Sequence, residues 1–84
     1  MKSFDLKIKS PEKEYFQGKV QSIIAEAVDG KVQVLIDHAP FATILKKGTI
    51  TLQTEKGEQK TIEASDGFLI VKNNCSTILL NSRD

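Results

Sequence analysis

Phe4, Leu6 and Ile8 alternate with Asp5, Lys7 and Lys9, a period of two that predicts a strand with one face in the core and one in water. Ser10-Pro11 ends it, because proline donates no N–H to a ladder and restrains the residue before it. Beyond the exposed Glu12–Glu14 stretch, Tyr15-Phe16 reads as a short aromatic return, and Gly18 as a bend or bulge before the next strand. From Val20 to Val28 the apolar positions are Val20, Ile23, Ile24, Ala25, Ala27 and Val28. The step of three from Val20 to Ile23 breaks strict alternation, so a bulged strand and a short helix both fit. The β-branched content favours the strand.

Asp29-Gly30 then turns the chain, and Val32, Val34 and Ile36 alternate with Lys31, Gln33 and Leu35. His38-Ala39-Pro40 forms a corner, after which Ile44 and Leu45 lead to a turn at Lys46-Lys47-Gly48. Ile50 and Leu52 mark the following strand, Glu55-Lys56-Gly57-Glu58 a hairpin loop, and Ile62 and Ala64 the return. Ser65-Asp66-Gly67 turns again, strands are expected over Phe68–Lys72 and Cys75–Leu80, and Asn81–Asp84 is a polar tail. The pattern predicts an all-β domain spanning residues 1–84, a flattened antiparallel sandwich or barrel of about 8–10 short strands without a convincing helix. Pro11, Gly18, Gly30, Gly48 and Gly67 are its expected turn positions.

The last two strands are apolar on both faces. Phe68 and Ile70 oppose Leu69 and Val71, while Ile78 and Leu80 oppose Cys75 and Leu79. A two-layer β protein buries one face of each sheet and wets the other. Two-sided strands therefore call either for tight curvature with loops folding over them or for a face that meets a partner protein.

Eighty-four residues supply one modest core and little room for a deep cleft. Twelve basic residues against eleven acidic ones, mixed along the chain, give no dominant nucleic-acid or anionic-membrane footprint. The start, MKSFDLKIK, has no uninterrupted apolar run and does not read as a signal peptide; no run approaches the roughly 18 apolar residues of a membrane span. Cys75 is the only cysteine, which points to a reducing compartment and no disulfide framework.

The chain's single histidine, His38, follows Asp37, but no recognisable nucleophile completes a triad, and Ser65, Ser76 and Ser82 lie in no nucleophile-elbow context. His38 is expected to hydrogen-bond the loop backbone and fix the corner. One histidine and one cysteine far apart make no zinc pattern, and Cys75 is expected to be a small core residue. Asn74-Cys75-Ser76 matches a glycosylation sequon, without force in the absence of a secretory signal. The glycines form no phosphate loop, so no metal, cofactor or catalytic residue is assigned.

The ordered set of turns resembles the epsilon subunit family of the F-type ATP synthase. Pro11-Glu12 with Phe16, Gly18 and Val20 is similar to its first signature. Gly30, Val34-Leu35 and His38-Ala39-Pro40, followed by Leu45 and Gly48, are similar to its central motif. Gly67-Phe68 and Asn74 through Leu79 are similar to its last hairpin, so the likeness covers essentially the whole chain. The resemblance implies a flattened sandwich of about ten strands at the foot of the central stalk, or rotor. Such a subunit packs on the gamma subunit and the c-ring and couples proton flow to ATP synthesis without catalysis of its own. It would be peripheral, on the cytoplasmic face of a bacterial inner membrane as part of the complex. It implies that Lys31 and His38-Ala39-Pro40 face the c-ring, and Leu69, Val71 and Leu79 are the expected gamma-facing residues.

The sequence departs from the family pattern at Gln33, where a glycine is usual, at Ile36-Asp37, in place of Pro-Gly, and at Asp66, in place of the first glycine of a Gly-Gly-Phe run. Most family members also add a C-terminal helix pair that restrains ATP hydrolysis. The chain given is expected to lack that device, as either a naturally short form or one cut after the sandwich. Three rival readings stand beside it: a β-sandwich adaptor of another assembly, a nucleic-acid-binding β-barrel whose exposed aromatics and lysines would share one face, and a small enzyme or isomerase, which would need His38 beside an acid in a concave pocket.

Overall fold

In the computed structural model, which describes residues 3–81, alternation becomes eight strands. They are β1 (Phe4–Lys9), β2 (Glu14–Ala27), β3 (Gly30–Val34), β4 (Phe41–Leu45), β5 (Gly48–Thr54), β6 (Gln59–Ala64), β7 (Gly67–Lys72) and β8 (Cys75–Leu80). The described residues contain no helix. Beyond Asn81, the polar tail anticipated from the sequence lies outside the described residues, as does Ser82.

The strand pattern wins over the helical one at residues 20–28, and a bulge explains the irregular spacing. Val20 pairs with Thr54 and Ser22 with Gln53, so Gln21 is the extra residue on β2. Its side-chain amide donates to Glu55 O at 2.9 Å. The extra residue lets Val20 and Ile23, three apart, both face the core, where each is fully buried.

β2 starts earlier than the sequence suggests, and Tyr15-Phe16 belongs to it. Gly18 is not a bend: it lies mid-strand opposite Leu6. The Phe16 ring lies over it, 3.4 Å from where a Cβ would stand, so the glycine accommodates a neighbouring ring and not a change of direction. Pro11 does sit in the β1–β2 connection, closed by Ser10 N–H donating to Lys13 O at 2.8 Å. Gly30, with φ +124°, opens β3, and Gly48 opens β5.

The first half of β2 pairs with β1, and its second half with β3 on one edge and β5 on the other. The long strand thereby passes from one layer of the sandwich to the other. The sheet order is β1-β8-β7-β4-β2-β5-β6, with β3 beside β2, and the whole is a flattened sandwich of 34 × 23 × 18 Å. The strand pairings are antiparallel except that of β1 with β8, which run parallel.

The core takes alternate residues from every strand: Phe4, Leu6 and Ile8 from β1, Ile50 and Leu52 from β5, Leu69 and Val71 from β7, Ile78 and Leu80 from β8. Gly67 is needed at the entry to β7, because a Cβ there would stand 2.9 Å from Leu80 Cα and closer still to Leu79 O. Gln33 sits in β3 opposite Ile24 with no positive φ, so the departure from glycine carries no backbone strain. Asp66 also avoids positive φ, and its carboxylate accepts from Asn81 Nδ2 at 2.9 Å.

Candidate functional site

Strand register decides which side of the last hairpin is free. Leu69 and Val71, expected from the sequence to meet a partner, are 0% and 3% exposed and belong to the core. The choice of face is therefore corrected: with Gly67 packed inward against Leu79 and Leu80, alternation sends Phe68 and Ile70 outward. Of the three predicted residues only Leu79 shares that outer side.

The outer side is a continuous apolar surface. Ile44 on β4 stands opposite Phe68 on β7, which stands opposite Leu79 on β8. Val28, in the β2–β3 turn, extends the row, its N–H donating to Ile44 O at 3.0 Å. A second row runs Ala42, Ile70, Thr77. Val28, Ile44, Phe68 and Ile70 are 55%, 51%, 47% and 38% exposed, so no loop among the described residues covers this face. Ala42, Thr43, Ile44, Phe68, Ile70 and Leu79 line a shallow depression on it. Parallel pairing places Lys7 beside Thr77 and Lys9 beside Leu79, so β1 gives the apolar field a charged margin.

Sequence reasoning missed Val28, Ile44, Phe68 and Ile70 as surface residues. The available signal was Gly67: a glycine that tolerates close backbone approach sets the phase of the strand it opens.

At one end of the sandwich the β3–β4 loop makes the predicted corner. His38 is half-buried, with Nδ1 2.8 Å from Ala39 O and its ring 4.8 Å from that of Phe41. Ala39 and Pro40 are exposed. Lys31 lies on β3 and, with Phe41, Ala42 and Thr43, lines a second shallow cleft beside the β2–β3 turn, which shares Ala42 and Thr43 with the apolar depression. Phe41 thus touches both the cleft of Lys31 and the ring of His38. No group of three metal-ligating side chains occurs among the described residues.

The loop is fixed by Asp37, which replaces the family's glycine. Its φ is +62°, a left-handed conformation that aspartate tolerates better than most residues. Asp37 N–H donates to Asn74 Oδ1 at 2.7 Å, and Asn74 Nδ2 donates back to Asp37 Oδ1 at 3.0 Å. Asn73 and Asn74, with φ +52° and +58°, form the two-residue β7–β8 hairpin turn, where both central residues need positive φ.

Cys75 is exposed and not a core residue, because Ser76, Ile78 and Leu80 take the inward positions of β8. Of the aromatic residues only Phe68 is exposed: Phe4 is buried, while Tyr15, Phe16 and Phe41 pack against the core. Lys13 and Lys60 sit over the Tyr15 and Phe16 rings. A stacking platform for single-stranded nucleic acid needs several free rings on one face.

Residues 3–83 match the β-sandwich domain of the ATP synthase delta/epsilon chain. The chain belongs to that family. It is 36% identical over 83 residues to the ATP synthase epsilon chain of Clostridium novyi, covering 99% of this chain and 63% of that one. It is also 36% identical over 78 residues to the epsilon chain of Chlorobaculum tepidum, covering 93% of this chain and 89% of the relative. In fold it is similar to a chain of the mitochondrial ATP synthase of Euglena gracilis, solved with OSCP, F1 and c-ring. There the TM-score is 0.88 at 21% identity, over 95% of this chain and 51% of the other. The epsilon-type sandwich is therefore present here from its first strand to its last hairpin. No helix among the described residues is long and apolar enough to cross a membrane.

Proposed function

We propose that this sandwich is a non-catalytic rotor component of an F-type ATP synthase central stalk, held between a gamma subunit and a c-ring. The observation that carries the reading is the family match over residues 3–83. The rows Val28–Ile44–Phe68–Leu79 and Ala42–Ile70–Thr77 supply the gamma-facing surface, replacing the assignment to Leu69 and Val71. Apolar burial over such a surface dominates affinity, while marginal charges such as Lys7 and Lys9 set approach and orientation. The His38-Ala39-Pro40 corner, with Lys31 nearby, faces the ring. The domain sits peripherally at the cytoplasmic side of a bacterial inner membrane, as part of the complex.

Titrating the purified domain with the gamma subunit of the same synthase tests this. One-to-one binding by the wild type, lost in a folded Phe68→Asp variant, is the expected result. A well-folded domain that fails to bind at micromolar concentration would overturn the gamma assignment. The uncovered apolar face would then favour an adaptor of another assembly.

A further inference from the structure

We infer that Asn74 is a positioning residue that holds the His38–Pro40 corner in fixed register with the hairpin bearing the outer apolar face. The β3–β4 loop is anchored unequally. Its second half runs straight into β4, which pairs with β7 from Phe41 onward. Its first half leaves β3 after Val34 and has only a 3.3 Å bond from His38 N–H to Leu35 O as a backbone tie to the loop itself. Ile36 packs against the core, and the reciprocal pair between Asp37 and Asn74 adds the side-chain hydrogen bonds that fasten that half to the β7–β8 turn.

Asn74 is itself held from a third direction, since its carbonyl accepts Asp5 N–H at 3.1 Å. One residue thus joins the start of β1, the turn that carries β7 into β8, and the loop that carries His38. Neither partner is interchangeable with an ordinary residue, because both sit at positive φ. The asparagine side chain offers an acceptor to a backbone N–H and a donor to a carboxylate at once, which matches the two groups Asp37 presents.

The consequence rests on the stalk reading. If the corner meets the ring and the outer face meets gamma, torque between them passes through β4 on one side of the loop and the Asp37–Asn74 pair on the other. The clasp helps make the two contact surfaces one rigid body.

The test places N74G, D37G, N74D and the exchanged pair D37N/N74D in the whole synthase, reconstituted in vesicles. Glycine supports positive φ, so N74G keeps the hairpin turn and removes only the side chain. Three quantities are read: amide exchange at position 37 in the isolated subunit, protons pumped per ATP hydrolysed, and affinity for gamma. N74G is expected to speed exchange about tenfold, as for loss of a bond in the upper part of the usual range. It is also expected to lower pumping per ATP while leaving gamma affinity within about twofold, because charge-free changes away from the outer face add to binding little. D37G, which keeps the backbone bond, falls between. N74D keeps an acceptor for Asp37 N–H but sets two carboxylates against each other, so its pumping falls, and D37N/N74D restores an amide opposite a carboxylate and recovers pumping.

Unchanged exchange and pumping in N74G would overturn the inference. So would a fall in gamma affinity matching the fall in pumping, which would make Asn74 a support of the hairpin alone. A wild type protected at position 37 that binds neither gamma nor ring would overturn the stalk reading, and with it the positioning role.

Discussion

Ile44 and Phe68 stand directly opposite one another across β4 and β7, and each leaves about half its surface in water, 51% and 47%. One residue along β7, Leu69 is fully buried. The same strand therefore offers two opposite experiments. Phe68→Asp is expected to cost only about 1–2 kcal/mol, through lost strand propensity and the cross-strand contacts with Ile44 and Leu79. Leu69→Asp buries an unpaired carboxylate and is expected to cost more than about 4 kcal/mol, unfolding the domain. Urea denaturation of both variants separates them; equal destabilisation would contradict the register of β7.

Ser76 is the weak point of the core. It is 1% exposed, sits between Leu6 and Val71, and its hydroxyl has no hydrogen-bond partner. Leaving a buried hydroxyl unsatisfied costs about 1–3 kcal/mol. Ser76→Ala removes the hydroxyl and almost no volume, so the variant is expected to be about 1 kcal/mol more stable, seen as a higher urea midpoint at unchanged m-value.

Gly67 carries the opposite expectation. An added methyl meets the Leu79–Leu80 backbone, which cannot rotate aside as a side chain would. Gly67→Ala is expected to cost about 1–3 kcal/mol through overpacking. Thermal unfolding checks this, with a lower midpoint for the variant.

Lys19 Nζ lies 2.9 Å from Asp5 Oδ1, and this hydrogen bond and charge raise the ammonium pKa above its ordinary 10.5. A pKa higher in the folded state means the stabilisation is full below about pH 10.5 and disappears as pH rises through the raised folded value. Both side chains are more than half exposed, so the effect is small and screened by salt. The stability difference between wild type and Lys19→Met is expected to shrink at alkaline pH and in high salt, as measured by denaturant titration.

The strands were legible because most obey a period of two, and even the Val20-to-Ile23 step could be read as a bulge. Gly18 misled because glycine serves ring packing as readily as turning, and only the position of Phe16 distinguishes them. For Leu69 and Val71 the sequence offered two apolar faces of similar composition. Which one enters the core depends on pairing with β4 and β8, a long-range relation absent from local pattern. Cys75 failed for the same reason, one position out of phase with Ser76. The Asp37–Asn74 pair joins residues far apart in sequence, and no short-range rule points to it.

The parallel pairing of β1 with β8 bears on how the protein can be labelled. Asp5 lies beside Cys75 and Lys9 beside Leu79, so the start of β1 is at the end that carries Asn74 and the His38 corner. The end of β8 is at the other, roughly 17 Å away at the rise of a strand. A fluorophore or affinity handle placed ahead of Phe4 would crowd whatever seats on the corner. The same handle placed after Leu80 would emerge near the Pro11 turn and leave that end open for docking measurements.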